Sequence, residues 1–137
     1  MTEKKTVLAV EDDAPDLFPL RRAFRQLDPT FDVKVVETGR AAVNYLQGEG
    51  VYCDRNQYPL PLLIVLDLRL PGMSGLDLLK WIREQPQFTD LPIIALTAFG
   101  NRDLPRAYDL GINFYLLKPA DAESLAEVLQ ALDLYDG

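Results

Sequence analysis

The chain has 137 residues, of which 48% are hydrophobic and 26% are charged, and its 14 basic and 21 acidic residues give a net charge of −7. This size and composition predict one globular domain, and the lack of a long apolar run argues against a membrane protein. The acidic balance, without a cluster of Lys and Arg, disfavours direct binding of nucleic acid.

The sequence has no histidine and a single cysteine, Cys53. Without histidine, the chain has no Ser-His-Asp or Cys-His catalysis, no histidine-based metal site and no internal phosphohistidine. A lone cysteine forms no intrachain disulfide, and the N-terminus lacks the pattern of a signal peptide, so we expect a cytoplasmic protein. Any chemistry must therefore use carboxylates, Lys, Thr or Tyr.

Five apolar segments alternate with five segments of helical periodicity along the chain. The predicted strands are 6–10, 33–36, 62–66, 93–96 and 114–117, and the predicted helices are 14–27, 39–46, 76–84, 102–110 and 122–132. This alternation predicts a parallel sheet with helices on both faces. Pro19 predicts a kink or looser turns in the first helix. Residues 47–61 form a long loop, and a tolerated surface insertion is favoured over a functional loop.

Polar side chains stand where the predicted strands end. Glu11, Asp12 and Asp13 follow the first strand, Asp67 follows the third, Thr97 the fourth and Lys118 the fifth. Right-handed crossovers bring these strand ends to one edge of the sheet. Carboxylates without histidine suit Mg²⁺, while a lysine and a threonine hydroxyl suit a phosphoryl group.

Asp67 is the hardest of these residues to explain by packing. It ends a run of five apolar residues, where an unpaired carboxylate is costly, and Asp carboxylates are able to form aspartyl phosphates as nucleophiles. Asp13 alone is explained more simply as part of a solvated helix N-terminus, and Thr97 and Tyr115 taken singly have equally good structural explanations.

Four motifs taken together resemble the receiver domain of two-component response regulators, and the resemblance covers almost the whole chain. They are V-E-D-D at 10–13, L-D-L-R-L-P-G-M-S-G at 66–75, L-T-A at 96–98 and Y-L-L-K-P at 115–119. The resemblance implies an α/β fold with a doubly wound, flavodoxin-like parallel sheet of order 2-1-3-4-5. It also implies that residues 1–137 form a single receiver domain.

The resemblance also implies roles for individual residues. Asp67 matches the phosphoacceptor of the family, and Asp12 matches a direct ligand of Mg²⁺. Glu11 would contact the metal through water, and Arg69 would offer its backbone carbonyl. Asp13 lies one place beyond the acidic pair of the family, so we assign it a supporting or capping role.

The remaining motif residues match the switch machinery of the family. Lys118 matches the phosphoryl-binding lysine, Thr97 the switch hydroxyl and Tyr115 the switch aromatic residue, and Lys118-Pro119 would be a cis peptide. Arg69 and Phe99 differ from many relatives and flank the path of a hydrolytic water. We therefore predict that the bulky Phe99 slows dephosphorylation.

The implied function is a phosphorylation-activated signalling switch. A sensor histidine kinase or a histidine phosphotransfer protein would supply the phosphoryl group to Asp67, and a downstream protein would read the result. Such a switch catalyses its own phosphorylation and dephosphorylation but is not a dedicated turnover enzyme.

Two other hypotheses compete with the interpretation as a phosphorylation-activated switch. The first is a degenerate module that binds proteins without phosphorylation, against which the intact Asp67, Asp12, Thr97 and Lys118 count. The second is a phosphohydrolase with an aspartate nucleophile. Such enzymes use a second carboxylate, two residues after the nucleophile, as acid and base, and Arg69 at that place counts against this hypothesis.

We expect a stand-alone receiver, because no output domain follows the fifth predicted helix. It would act as a partner-binding module, as a relay shuttle, or as a homodimer through the fourth helix, fifth strand and fifth helix. The loop at 47–61 and the apolar residues Leu132, Leu134 and Tyr135 resemble receivers paired with phytochrome-like kinases.

Overall fold

A computed structural model describes residues 4–137. Five parallel strands form one sheet in the order β2-β1-β3-β4-β5. The strands are β1 (Lys5–Val10), β2 (Phe31–Val36), β3 (Leu63–Asp67), β4 (Ile93–Thr97) and β5 (Phe114–Leu117). The predicted doubly wound, flavodoxin-like sheet is therefore confirmed.

Each strand is followed by a helix, and two short 3₁₀ turns interrupt the connections. The helices are α1 (Ala14–Leu27), α2 (Gly39–Gln47), α3 (Gly75–Glu84), α4 (Leu104–Leu110) and α5 (Ala122–Ala131), with 3₁₀ turns at Gly50–Tyr52 and Pro86–Phe88. Most predicted bounds agree within two residues. Pro19 lies inside α1, which the structure assigns as one continuous helix. None of the described helices combines the length and apolar content that a membrane crossing needs.

The central strands are apolar throughout because helices cover both faces of the sheet. Along β1, Val7 and Ala9 pack with α1 and α5, whereas Leu8 and Val10 pack with α2 and α3. Successive side chains of a strand point to opposite faces, so a strand covered on both sides shows no alternation. All five residues of β3 are buried, and its last one is Asp67.

The segment between α2 and β3 is an ordered structure, anchored by one arginine. Arg55 donates hydrogen bonds to the carbonyl oxygens of Tyr45 at 2.7 Å and Leu46 at 2.9 Å, at the end of α2. The Tyr45 hydroxyl donates to the Pro59 carbonyl at 2.8 Å, and its ring contacts that of Tyr52. Arg55 thus holds the long loop in place by donating to the carbonyl oxygens at the end of α2. The polar composition of the loop did not indicate this order.

The start of α3 lies against the end of β3, and only glycine fits at this approach. A Cβ atom on Gly75 would lie 2.6 Å from the Leu68 Cα and 2.7 Å from the Asp67 carbonyl oxygen. Ser74 caps α3 by accepting a hydrogen bond from the Asp77 backbone N–H at 3.1 Å. This packing fixes the loop that carries Asp67 into the helix.

Candidate functional site

The carboxyl ends of β1, β3, β4 and β5 surround an open cavity of about 520 Å³. Residues from all four strand ends and from the start of α1 line it: Asp12, Asp13, Ala14, Asp16, Asp67, Arg69, Thr97, Ala98, Asn101 and Lys118. The structure therefore brings Asp12, Asp67, Thr97 and Lys118 together at one edge of the sheet. Phe99 and Tyr115 do not line this cavity.

Asp67 sits at the base of this cavity with both carboxylate oxygens engaged. Its Oδ1 accepts a hydrogen bond from the Arg69 backbone N–H at 2.9 Å, and its Oδ2 accepts one from Lys118 Nζ at 3.0 Å. The residue is 3% exposed. A buried carboxylate held in this way has a fixed orientation, which suits a nucleophile.

Two further carboxylates, those of Glu11 and Asp12, converge on Asp67. Ligand oxygens of Glu11, Asp12 and Asp67 lie within 4.8 Å of one another. Glu11 is 2% exposed, and its Oε1 accepts from the Asp13 backbone N–H at 3.0 Å. Its Oε2 accepts no hydrogen bond from any residue in 4–137, although Lys118 Nζ lies 3.6 Å away.

The crowding of negative charge is visible in the pKa of Glu11. Burial, followed by the neighbouring Asp67 carboxylate, raises this pKa to about 8, while the Asp13 backbone N–H and Lys118 oppose the rise. A buried carboxylate oxygen without a partner, among oxygen donors only, fits a hard divalent cation such as Mg²⁺. The donor set therefore agrees with the predicted metal.

Lys118 is the cation that contacts the carboxylates of the site. Its Nζ lies 2.9 Å from Asp16 Oδ2 and 3.0 Å from Asp67 Oδ2. Burial alone would lower the pKa of Lys118, but hydrogen bonds and charges from Asp16, Asp67 and Glu11 outweigh it and raise the pKa. The lysine is therefore fully charged. The predicted cis peptide between Lys118 and Pro119 is present.

The two proposed switch residues have different environments. Thr97 is 2% exposed, and its hydroxyl makes only a long contact of 3.4 Å to the Ala98 carbonyl oxygen. Tyr115 is 42% exposed and packs edge-to-face against Tyr108, with ring centroids 6.5 Å apart. Thr97 thus has a hydroxyl available for a stronger partner, and Tyr115 lies outward on β5.

The sequence analysis missed Asp16, which makes the shortest ionic contact of Lys118. A signal was present, because Asp16 lies in the first turn of the helix that leaves the acidic strand end. Asp13 lies at the predicted N-cap position of α1, but its side chain makes no capping hydrogen bond, and its backbone N–H donates to Glu11 Oε1. Arg69 and Phe99 are both exposed, and Phe99 is 91% exposed.

A family model described as the response regulator receiver domain matches residues 7–130. The chain belongs to this family. Among its relatives, response regulator Rcp1 from Synechocystis is 30% identical over 132 residues, which cover 96% of this chain and 88% of Rcp1. Receiver domains of response regulators are phosphorylation-activated signalling switches and are generally not dedicated enzymes.

Solved structures of phytochrome response regulators have the same fold. The bacteriophytochrome response regulator RtBRR is similar with a TM-score of 0.81 and 33% identity, covering 98% of this chain and 80% of that one. The phosphorylated cyanobacterial phytochrome response regulator RcpA gives a TM-score of 0.79 at 30% identity, covering 95% and 91%. The Mn²⁺-bound form of Rcp1 gives 0.74 at 30% identity, covering 94% and 91%.

Proposed function

We propose that this receiver domain accepts a phosphoryl group on Asp67 from the phosphohistidine of a separate protein. The observation that supports this most directly is the Asp67 carboxylate, which is buried, oriented by two hydrogen bonds and directed to a cavity that contains Lys118. The donor would be a sensor histidine kinase or a histidine phosphotransfer protein, since this chain has no histidine.

The transfer requires an in-line displacement at phosphorus. A carboxylate oxygen of Asp67 forms the new O–P bond, the P–N bond to the donor imidazole breaks, and its electron pair returns to the imidazole nitrogen. Lys118 offsets negative charge on the phosphoryl oxygens, so catalysis consists mainly of positioning and electrostatics. The Arg69 N–H keeps the attacking carboxylate in its orientation.

The metal-binding residues would be Asp12 and Asp67 directly, the Arg69 backbone carbonyl, and Glu11 through water. When bound there, Mg²⁺ supplies positive charge that favours the negatively charged phosphoryl group. Receiver domains bind Mg²⁺ or Mn²⁺ at an acidic pocket, and the solved form of Rcp1 holds Mn²⁺. The unpartnered Glu11 Oε2 supports such a role in this chain.

Phosphorylation would act through Thr97 and Tyr115. The Thr97 hydroxyl has only a long contact in this structure and would turn to the phosphoryl oxygen. The ring of Tyr115 would move into the space that the Thr97 hydroxyl leaves. This movement would repack the surface formed by α4, β5 and α5. A local change in charge would thus shift a two-state surface.

We further infer that residues 1–137 fold as a single receiver domain that acts in the cytoplasm, by contact with proteins and without direct binding of nucleic acid. The downstream target or a second copy of the chain would bind the surface formed by α4, β5 and α5. The exposed apolar side chains of Tyr108, Tyr115 and Leu117 on that surface support this inference.

The intact mass of the protein after incubation with acetyl phosphate, with and without Mg²⁺, tests the assignment of Asp67. The wild type should gain one phosphoryl adduct that depends on Mg²⁺, and Asp67→Asn should gain none. Asp77→Asn, which removes an exposed carboxylate from the first turn of α3, should form the adduct normally. A wild type that forms no adduct and binds no Mg²⁺ would instead support a degenerate module that works without phosphorylation.

Phe99 should lengthen the life of the aspartyl phosphate. A carboxylate at this position can orient an attacking water, whereas the apolar ring cannot, so Phe99→Glu should shorten the lifetime by about threefold. Decay of the phosphoryl adduct, followed by mass after removal of the donor, measures the effect. Phe18→Glu is the matched control, because Phe18 is also exposed but lines a different cavity, between α1 and the start of α5. An unchanged lifetime in Phe99→Glu would refute the role.

A further inference from the structure

Asp16 is a third carboxylate in contact with Lys118, and no role in the transfer described above uses it. Its Oδ2 lies 2.9 Å from Lys118 Nζ, slightly closer than Asp67 Oδ2 at 3.0 Å and much closer than Glu11 Oε2 at 3.6 Å. The ammonium group donates a hydrogen bond to Asp67 and forms an ion pair with Asp16. Lys118 therefore bridges the acceptor and the start of α1.

The position of Asp16 is fixed by the first turn of α1. Its backbone N–H donates to the Asp13 carbonyl oxygen at 3.1 Å, and Pro15 occupies the opening of the same helix. A carboxylate in the first turn is also stabilised by the positive end of the helix dipole. The helix backbone therefore holds the Asp16 carboxylate at a defined position beside Lys118.

The three carboxylates around Lys118 differ in how deeply they are buried. The side chain of Asp16 is 24% exposed, whereas those of Asp67 and Glu11 are 4% and 1% exposed. Asp16 thus attracts the ammonium group outwards, and the two buried carboxylates attract it inwards. Without Asp16, the unpartnered Glu11 Oε2 is the next acceptor, and the ammonium group would settle deeper between Glu11 and Asp67.

We propose that Asp16 is a positioning residue that holds the Lys118 ammonium group at the mouth of the cavity, where the incoming phosphoryl oxygens arrive. Held there, the charge of Lys118 faces the phosphoryl group as it approaches Asp67. A deeper ammonium group would instead bind the acceptor carboxylate more closely and lower its reactivity. This inference rests on the proposed phosphorylation of Asp67.

The rate of adduct formation with acetyl phosphate at saturating Mg²⁺ tests the proposal. Asp16→Ala should slow it by about 3- to 10-fold, the size of effect expected when one charge-assisted contact no longer positions a catalytic group. Asp16→Asn keeps an oxygen that accepts from Lys118 and should recover part of the rate. Asp77→Ala removes an exposed carboxylate from the first turn of another helix, α3, and this carboxylate does not line the cavity, so its rate should stay within about twofold of wild type.

A double-mutant cycle with Lys118→Ala separates positioning from a purely structural role. In the Lys118→Ala background, Asp16→Ala should cause no further slowing, because the group it positions is gone. An equal slowing in both backgrounds, or an unchanged or faster rate for Asp16→Ala alone, would overturn the proposal. Thermal melting of each variant establishes that it is folded at the assay temperature.

These outcomes are distinct from failure of the proposed function. If the wild type forms no adduct, the assignment of Asp67 fails and the role of Asp16 in phosphorylation fails with it. If the wild type forms the adduct and Asp16→Ala forms it at the same rate, only the role of Asp16 is rejected.

Discussion

The two ends of the sheet each hold a partly buried cation, but they surround it differently. At the carboxyl end, Lys118 faces three carboxylates, one of which keeps an unpartnered buried oxygen. At the amino ends of β4 and β5, Arg83 donates to neutral acceptors: the carbonyl oxygens of Gly111 at 2.8 Å and Phe88 at 2.8 Å, and Asn113 Oδ1 at 3.2 Å.

The difference separates a site that stabilises the fold from one that is kept ready for chemistry. Arg83 satisfies several carbonyl oxygens at chain turns, as buried polar groups require. The cluster around Lys118 carries an excess of negative charge, which costs stability until a cation or a rearrangement relieves it. The contacts that stabilise the fold and the site kept for chemistry thus lie at opposite ends of the strands.

The largest expected change in the free energy of unfolding comes from a substitution at the amino ends of β4 and β5. Arg83→Met keeps the apolar stem but leaves the Gly111 and Phe88 carbonyl oxygens without their donor, so the free energy of unfolding should fall by about 2–3 kcal/mol. Urea unfolding measures it, with Arg106→Met, an exposed arginine of α4, as control. Adduct formation by the folded Arg83→Met protein should be unchanged. If this variant were as stable as wild type, the contrast between the two ends would fail.

A substitution at the carboxyl end should raise the free energy of unfolding instead of lowering it. Glu11→Gln replaces a buried carboxylate by a neutral amide that can donate to a neighbouring carboxylate, so the metal-free protein should gain about 1 kcal/mol in the free energy of unfolding. The same variant should need more Mg²⁺ for half-maximal phosphorylation. Glu37→Gln, at an exposed position after β2, is the control for both measurements. A destabilised Glu11→Gln protein would show that the cluster contributes to stability.

The smallest change in stability is expected at Asp28, a half-buried turn residue at the amino end of the sheet. The Thr30 backbone N–H and hydroxyl, and then Lys5, hold the pKa of Asp28 near 2, below its usual 3.8. Because the folded-state pKa is depressed, the stabilisation is present above about pH 4 and is lost as the pH falls through about 2. Asp28→Ala should therefore be slightly less stable than wild type near neutral pH, with the difference shrinking in acid. Urea midpoints across this range test it, and a difference independent of pH would contradict it.

Much of the fold could be predicted because its signals are local. The unbroken apolar runs of β3 and β4 indicated strands covered on both faces, and their ends at Asp67 and Thr97 placed polar groups at one edge. The bounds moved by one or two residues because hydrogen bonding between strands extends them beyond the apolar run. Asp13 lies at the N-cap of α1, as its local pattern predicts, but its side chain makes no capping hydrogen bond, which a local pattern does not determine.

The sequence alone determined the order of strands and helices, the edge at which the polar residues gather, and the donor chemistry available there. Only the tertiary structure decided how Lys118 divides its ionic contacts between Asp16 and Asp67, and that Arg83 binds the Gly111 carbonyl oxygen. These partners are far apart in the chain, by 51 residues for Lys118 and Asp67 and by 28 for Arg83 and Gly111. Periodicity and motifs report neighbours along one element, whereas such contacts depend on how separate elements pack against one sheet.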